Sequence, residues 1–204
     1  MMIKDFGPRV VSVWEGLRPM TKKMLERAVQ SKSGAQPPVP AQKFSYDAHS
    51  DWELSRLLTV LDEQIKDPEV RKDAAKLEEI KQLAETCVSV LETQTESAEI
   101  FIQLAERILK KNDYSKLDKL SDLLLDRFPA GEIAEIVRST DAAQIRAIAY
   151  ETLALMPVNS LLPLLDDPIY AEIAMNAIEQ KAFEYDSEEA RDLLERIDQE
   201  ADLD

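Results

Sequence analysis

The apolar positions between Leu104 and Phe183 recur with a period of about 28 residues, within the range that is typical of helical repeats. The copies align at Ile108–Leu109, Ile136–Val137 and Leu164–Leu165, and again at Leu117, Ile145 and Ile173. Each copy is a short apolar helix, a polar break and a longer helix. A unit of this size cannot bury its apolar face alone, so neighbouring units must stack and share a core. The pattern therefore predicts helical hairpins stacked into a solenoid.

Parts of this region resemble HEAT-like repeats. DAAQIRAIA at 141–149 looks like the second helix of such a repeat, and LLPLLDDP at 161–168 resembles the first helix and turn of the next. DPEVRKDAA at 67–75 is similar but does not share the phase of the recurring positions. The resemblance implies an α-solenoid that serves as a binding scaffold. It also implies a ladder of aspartate and arginine between repeats, but the residues equivalent to Arg146 do not continue one.

The helices before the repeats are predicted from capping signals. Ser50 and Glu53 form a capping box that predicts a helix over 50–66. Asp67–Pro68 starts the next helix, whose apolar seam continues for about seven turns to Leu91 and resembles a coiled-coil face. We expect this seam to pack against the preceding helix and the repeat block.

Two more helices complete the main body. A helix at about 96–111 leads into the first repeat copy. The tail at 184–204 has ten acidic and two basic residues, and Ser187 is placed to cap a last helix there. A strongly polar outer face is what a terminal capping unit of a solenoid requires.

The segment 1–30 forms a basic amphipathic arm. Its apolar stripe consists of Val10, Val13, Trp14, Leu17, Met20, Met24 and Ala28. Pro19 lacks a backbone donor and suits the first position of a new helix. The arm is therefore predicted as two helices that meet at Arg18–Pro19, the second ending at Gly34.

An apolar stripe of this kind must be covered by something. Three alternatives are open: the groove of a partner protein, the end of the chain's own core, or an anionic membrane surface. The candidate partner-binding residues are Trp14, Leu17, Met20, Met24, Lys22, Lys23 and Arg27 in the arm, with Arg146 and Tyr150 on the repeats.

Composition divides the chain into the arm at 1–30, a linker at 31–49 and an acidic helical-repeat domain at 50–204. The linker contains SKSGAQPPVPAQK, and such proline-rich, small polar sequences favour extended spacers. Residues 1–43 have a net charge of +5 within a total of −15, which leaves −20 for the remainder. An acidic body argues against nucleic-acid binding because it repels a polyanion.

Composition also indicates an all-α protein with little catalytic chemistry. There are four glycines and no alternating apolar runs of the kind that strands show. Cys87 is the single cysteine and His49 the single histidine, so no multi-cysteine metal site, histidine metal motif or catalytic triad can be assembled. Glycine-rich phosphate loops are absent. We expect no catalytic residues, cofactor or metal.

No apolar run reaches the length of a signal peptide or a membrane span, and a lone cysteine suits a reducing compartment, so a cytoplasmic protein is expected. The combined features predict a non-catalytic scaffold or accessory subunit of a larger assembly, anchored to protein partners through the arm. Two alternatives remain: a peripheral membrane protein that uses the same arm, and an enzyme with an unrecognised carboxylate site.

Overall fold

The computed structural model describes residues 3–32 and 46–201, and every regular element in these ranges is helical. The all-α prediction is thereby confirmed for the described residues. A short 3₁₀ helix at Ile3–Asp5 precedes twelve α-helices. They are α1 (Pro8–Gly16), α2 (Pro19–Lys32), α3 (Ala48–Lys66), α4 (Pro68–Lys72), α5 (Ala74–Gln94), α6 (Ala98–Leu109), α7 (Tyr114–Arg127), α8 (Ala130–Ser139), α9 (Ala143–Leu155), α10 (Val158–Leu165), α11 (Ala171–Phe183) and α12 (Glu188–Ala201).

The chain divides into two compact units, Met1–Thr95 and Glu96–Asp204. This division differs from the predicted one, because α1 and α2 of the arm pack against α3 and α5 and so belong to the first unit. The first unit has 14 basic and 15 acidic residues, whereas the second has 11 and 25. The negative charge of the protein therefore belongs almost entirely to the second unit.

The core of the first unit lies between α3 and α5, which pack against each other over much of their length. The buried side chains are Leu54, Leu57, Leu58 and Leu61 on α3 and Ile80, Leu83, Ala84, Cys87 and Leu91 on α5. Their spacing of three and four residues places each set on one helical face. Each buried leucine contributes about 1.5–3 kcal/mol of transfer free energy. The predicted packing of the α5 seam against the preceding helix is confirmed.

The predicted capping box at the start of α3 is wrong. Asp47 is the N-cap, and its carboxylate accepts hydrogen bonds from the Ser50 backbone N–H at 2.8 Å and from the Ser50 hydroxyl at 2.9 Å. Ser50 is therefore the third helical residue rather than the cap. Glu53 points inward and is only 2% exposed, so it is not available to close a box.

The predicted long helix after Asp67 is interrupted at Asp73. Asp67 caps α4 as expected and accepts from the Glu69 N–H at 2.8 Å. Asp73 then has extended backbone angles, and its carboxylate accepts from the Lys76 N–H at 3.1 Å. An aspartate side chain competes with the helix for backbone donors, which ends α4 and begins α5 one residue later.

The second unit consists of helices that pack in a regular order. α6 packs against α7 and α8, α8 against α9 and α10, and α11 against α9, α10 and α12. α8 begins at position 130 and α10 at position 158, and the same interval separates the starts of α9 at 143 and α11 at 171. The aligned apolar positions Leu117, Ile145 and Ile173 are all buried. α6 begins at position 98, a longer interval before α8, so the first copy departs from the common length.

The helix starts of the second unit are less regular than its apolar positions. Asp113 caps α7 and accepts from the Lys116 N–H at 3.1 Å. The aligned Asp141 is exposed, and the N-cap of α9 is Ala142, whose N–H donates to the Thr140 hydroxyl at 3.2 Å. Asp141, 28 residues after Asp113, therefore does not cap α9. Ser187 accepts from the Ala190 N–H at 3.4 Å, as predicted for the last helix.

Candidate partner-binding groove

The arm forms two helices, as predicted, with Leu17 and Arg18 between α1 and α2. Gly34 and most of the predicted linker lie outside the described residues. The apolar stripe, however, changes phase at the break. Thr21 and Leu25 are fully buried on α2, whereas Met20 is 48% exposed. A single apolar stripe that continues across Pro19 predicts the wrong face of α2. The helical period is interrupted at Leu17 and Arg18, so the face that is buried on α1 does not continue along α2.

Part of the arm covers the chain's own core. Phe6, Val10 and Leu17 are buried in the first unit. This agrees with the self-packing alternative for these residues. It also replaces the predicted partner-contact role of Leu17 by a core role, since a side chain that is 5% exposed is not accessible to a partner.

The junction of α1 and α2 is fixed to α3 by a polar cluster centred on Arg18 and Glu53. Oε1 of Glu53 accepts from the Arg18 backbone N–H at 2.7 Å, and Oε2 accepts from Arg18 Nε at 3.1 Å and from the Thr21 hydroxyl. The same guanidinium donates to both carboxylate oxygens of Asp47 at 3.0 and 2.7 Å, and to the Ser50 hydroxyl at 2.9 Å. Buried carboxylates require such partners.

The electrostatics of this cluster hold its carboxylates in the charged form. Burial raises the pKa of Glu53, but the hydrogen bonds from Thr21 and from the Arg18 backbone and side chain outweigh it, so the net pKa is lowered. The hydrogen bond from Arg18 and those from Ser50 lower the pKa of Asp47 well below its usual range. These hydrogen bonds join Arg18 and Thr21, at the junction of α1 and α2, to Asp47, Ser50 and Glu53 at the start of α3. The cluster therefore positions the arm on α3.

A groove of about 720 Å³ lies beside this junction, within the first unit. It is bounded by the 3₁₀ helix, α1, α2 and α5. Its apolar lining consists of Ile3, Val11, Trp14, Leu25, Val29 and Leu83, and its polar lining consists of Lys4, Glu15, Lys22, Glu26 and Gln30. Lys22 Nζ donates to the Glu15 carbonyl at 3.0 Å and so joins α2 to the end of α1. Mostly apolar concave surfaces with a few polar groups are typical of binding sites.

The groove brings together only two of the predicted contact residues, Trp14 and Lys22. Lys23 and Arg27 lie on the exposed surface of α2, and Met24 is half-buried. Sequence reasoning missed Val11, Val29 and Leu83. Val29 follows Leu25 by one turn, so the correct phase of α2 would have identified it, but the contribution of Leu83 on α5 depends on tertiary packing.

The two predicted contact residues of the second unit lie on α9. Arg146 is exposed and donates to the Thr140 carbonyl at 2.5 Å, just before the start of its own helix. Tyr150 is half-buried. Arg146 thus ties down the turn that precedes α9, and its equivalent positions hold no arginine with which to form a ladder.

Among residues 3–32 and 46–201, no group of three or more histidine, cysteine, aspartate or glutamate side chains is arranged to hold a metal ion. In the same part of the chain, no single helix has the length and apolar character of a membrane span. α9 and α10 together reach that length and composition, but a bend of 114° separates them.

Comparisons with protein-family models, with curated proteins and with solved structures found no match to this chain.

Proposed function

We propose that this protein is a non-catalytic interaction scaffold or accessory subunit, and that the groove beside α1, α2 and α5 anchors it to a protein partner. The observation that carries the proposal is the combination of a groove of about 720 Å³ with an apolar lining and a charged border. Trp14 contributes to that lining, and tryptophan is enriched among residues that dominate binding energy. The anchoring surface is thus the groove that the folded arm creates, rather than a detached arm.

The partner element that best suits this groove is an amphipathic helix. Its apolar face would cover Val11, Trp14 and Val29, which remain half-buried in the described structure. Lysines and glutamates both border the groove, so a helix with charges of both signs along its edges would be matched. This is the reverse of the simplest sequence hypothesis, in which the arm itself was the docking helix.

The proposal for the second unit is a HEAT-like α-solenoid that acts as a rigid scaffold. Its support is the common spacing of α8 with α10 and of α9 with α11, together with the buried aligned positions. Stacked repeats of this type create extended binding surfaces. With 25 acidic and 11 basic residues, the unit would favour partners that present basic surfaces.

Crosslinking in the source cells tests the groove. A photoreactive phenylalanine analogue at position 14 of the full-length protein would crosslink the partner, which would then be identified and purified. Val29→Glu places a charge in the groove and is expected to weaken the purified complex about tenfold or more. Val90→Glu is the matched control, because Val90 is also a half-buried valine of the first unit but does not line the groove.

Equal affinities for the wild type and Val29→Glu would refute the groove as the anchor. Sedimentation with anionic vesicles checks the membrane alternative. If Val29→Glu abolished vesicle binding and no protein were crosslinked at position 14, a membrane surface would replace the protein partner.

A further inference from the structure

A second surface on the first unit, on the outer face of α3, combines an exposed tryptophan with an arginine. Trp52 is 53% exposed, and the Arg56 guanidinium lies over its ring with 5.2 Å between Cζ and the ring centroid. The His49 ring lies 5.7 Å from the Trp52 ring, centroid to centroid, at a tilt of 51°. The three residues follow one another on one helical face. Tryptophan and arginine are the side chains most enriched in binding hot spots.

The arginine of this surface is charged and has no carboxylate partner within the described ranges 3–32 and 46–201. Arg9 provides a contrast. Arg9 is a residue of α1, and its Nη1 pairs with Glu63 of α3 at 2.6 Å. Stacking on Trp52 uses the flat face of the Arg56 guanidinium and leaves the N–H groups at its edge available for hydrogen bonds. That edge matches a carboxylate, which can accept two parallel hydrogen bonds.

A small cavity of about 70 Å³ adjoins the same side chains. α1 contributes Val13 and Gly16, and Trp52 and Arg56 contribute from α3. A Cβ atom added at Gly16 would meet no atom within 4 Å apart from those of its chain neighbours and its own helical backbone, so this side of the cavity is open. Glu53 also borders the cavity, but Arg18 and Thr21 already use its carboxylate. The cavity therefore suits the end of an apolar side chain and not a cation.

We infer that this surface, which we term the Trp52 surface, binds a partner segment that presents a carboxylate next to an aliphatic side chain. The carboxylate pairs with the edge of Arg56, and the aliphatic group enters the cavity beside Gly16. The remaining backbone or side chains of the segment cover the Trp52 ring. The inference does not depend on the groove, because the two surfaces have no lining residue in common.

The probe is a fluorescein-labelled helical peptide with leucine at every third or fourth position and glutamate between. A second peptide replaces every glutamate by glutamine, which keeps the shape and removes the charge. Fluorescence anisotropy with the full-length protein is expected to show about fivefold tighter binding of the glutamate peptide. Arg56→Gln is expected to abolish that preference.

Two matched variants separate this surface from general effects. Lys66→Gln removes one positive charge from an exposed position on the same helix, and the preference should survive it. Gly16→Leu fills the cavity where space is open, and it should weaken both peptides about threefold or more without unfolding the protein, as checked by circular dichroism. Trp52→Ala should weaken both as well.

Equal binding of the two peptides to the wild type, or an unchanged preference in Arg56→Gln, would overturn the inference. The wild type could instead bind neither peptide and self-associate, with Arg56→Gln abolishing the self-association. That result would assign the surface to a second copy of the chain and would overturn the inference. If Lys66→Gln weakened binding of the glutamate peptide as much as Arg56→Gln does, the preference would come from overall charge. That result would also overturn the inference.

Discussion

The Tyr170 hydroxyl donates a hydrogen bond of 2.9 Å to Oε2 of Glu135, 35 residues earlier in the chain. The contact joins the N-cap residue of α11 to α8. Glu135 also accepts from Arg138 Nε at 2.6 Å and from the Ser139 hydroxyl at 2.5 Å. One carboxylate thus holds together three side chains of the second unit.

The Glu135 cluster should make the stability of the second unit depend on pH. The hydrogen bond from Arg138, with those from Ser139 and Tyr170, outweighs burial and lowers the pKa of Glu135 from 4.5 to about 2. A carboxyl group with a depressed pKa in the folded state stabilises it fully above the unfolded pKa. Its contribution is therefore expected to be complete above about pH 5, and to be lost as the pH falls from about 4.5 to about 2.

Urea unfolding of the wild type and of Glu135→Gln at several pH values measures how the stabilisation by Glu135 depends on pH. The difference in unfolding free energy should shrink towards pH 2, because the glutamine variant cannot titrate. Glu179→Gln, at an exposed position on α11, is the control and should remain close to the wild type throughout. A Glu135→Gln difference that stays constant between pH 6 and pH 2 would contradict the predicted linkage.

Tyr170→Phe removes one hydrogen bond and leaves the ring in place. We expect the unfolding free energy to fall by about 1 kcal/mol, which is typical for one such bond. Tyr114→Phe is the matched control, since Tyr114 is 58% exposed, and it should change stability by less than about 0.5 kcal/mol. Thermal or urea unfolding followed by circular dichroism distinguishes the two, and equal effects would refute a structural role for the Tyr170 hydroxyl.

Glu53→Ala should destabilise the first unit by about 1–3 kcal/mol, because the Arg18 N–H and the Thr21 hydroxyl lose their acceptor in a buried place. Glu63→Ala breaks the exposed pair with Arg9 and should cost less than about 0.5 kcal/mol. Both variants remove one glutamate from α3, so urea unfolding isolates the effect of burial. Similar losses for both would show that the Arg18 and Glu53 cluster does not fix the arm.

Gly7 is the N-cap of α1 and Gly16 is its last residue, and the two should respond to alanine in opposite directions. Gly7 has a φ of +106°, and a Cβ there would lie 2.9 Å from Oε1 of Gln64, so Gly7→Ala should cost about 1–3 kcal/mol. Gly16 has an ordinary φ and open space, so Gly16→Ala should stabilise by about 0.4–1 kcal/mol through the unfolded chain. If the melting temperature shifted in the same direction for both variants, the predicted difference between a strained Gly7 and an unstrained Gly16 would be wrong.

Local sequence signals predicted the helical elements well where a single side chain decides the outcome. Pro19 at the start of α2, Asp67 at the start of α4 and Ser187 before α12 all lie where predicted. The signals failed where two residues compete for one role. Asp47 rather than Ser50 caps α3, because Asp47 accepts two hydrogen bonds from Ser50 and the sequence alone does not rank the two.

The sequence by itself determined the helical class, the break in the arm and the regular recurrence of apolar positions, because these follow from hydrophobic spacing and from proline geometry. Tertiary structure decided which face of α2 is buried. It also decided that the Glu53 carboxylate accepts hydrogen bonds from Arg18, and that Leu83 lines the same groove as residues of the arm. These are contacts between residues far apart in the chain, and spacing along a helix carries no information about them. The tertiary structure also places Trp52 and Arg56 beside the cavity at Gly16. The two candidate binding surfaces can therefore be identified only in the folded chain.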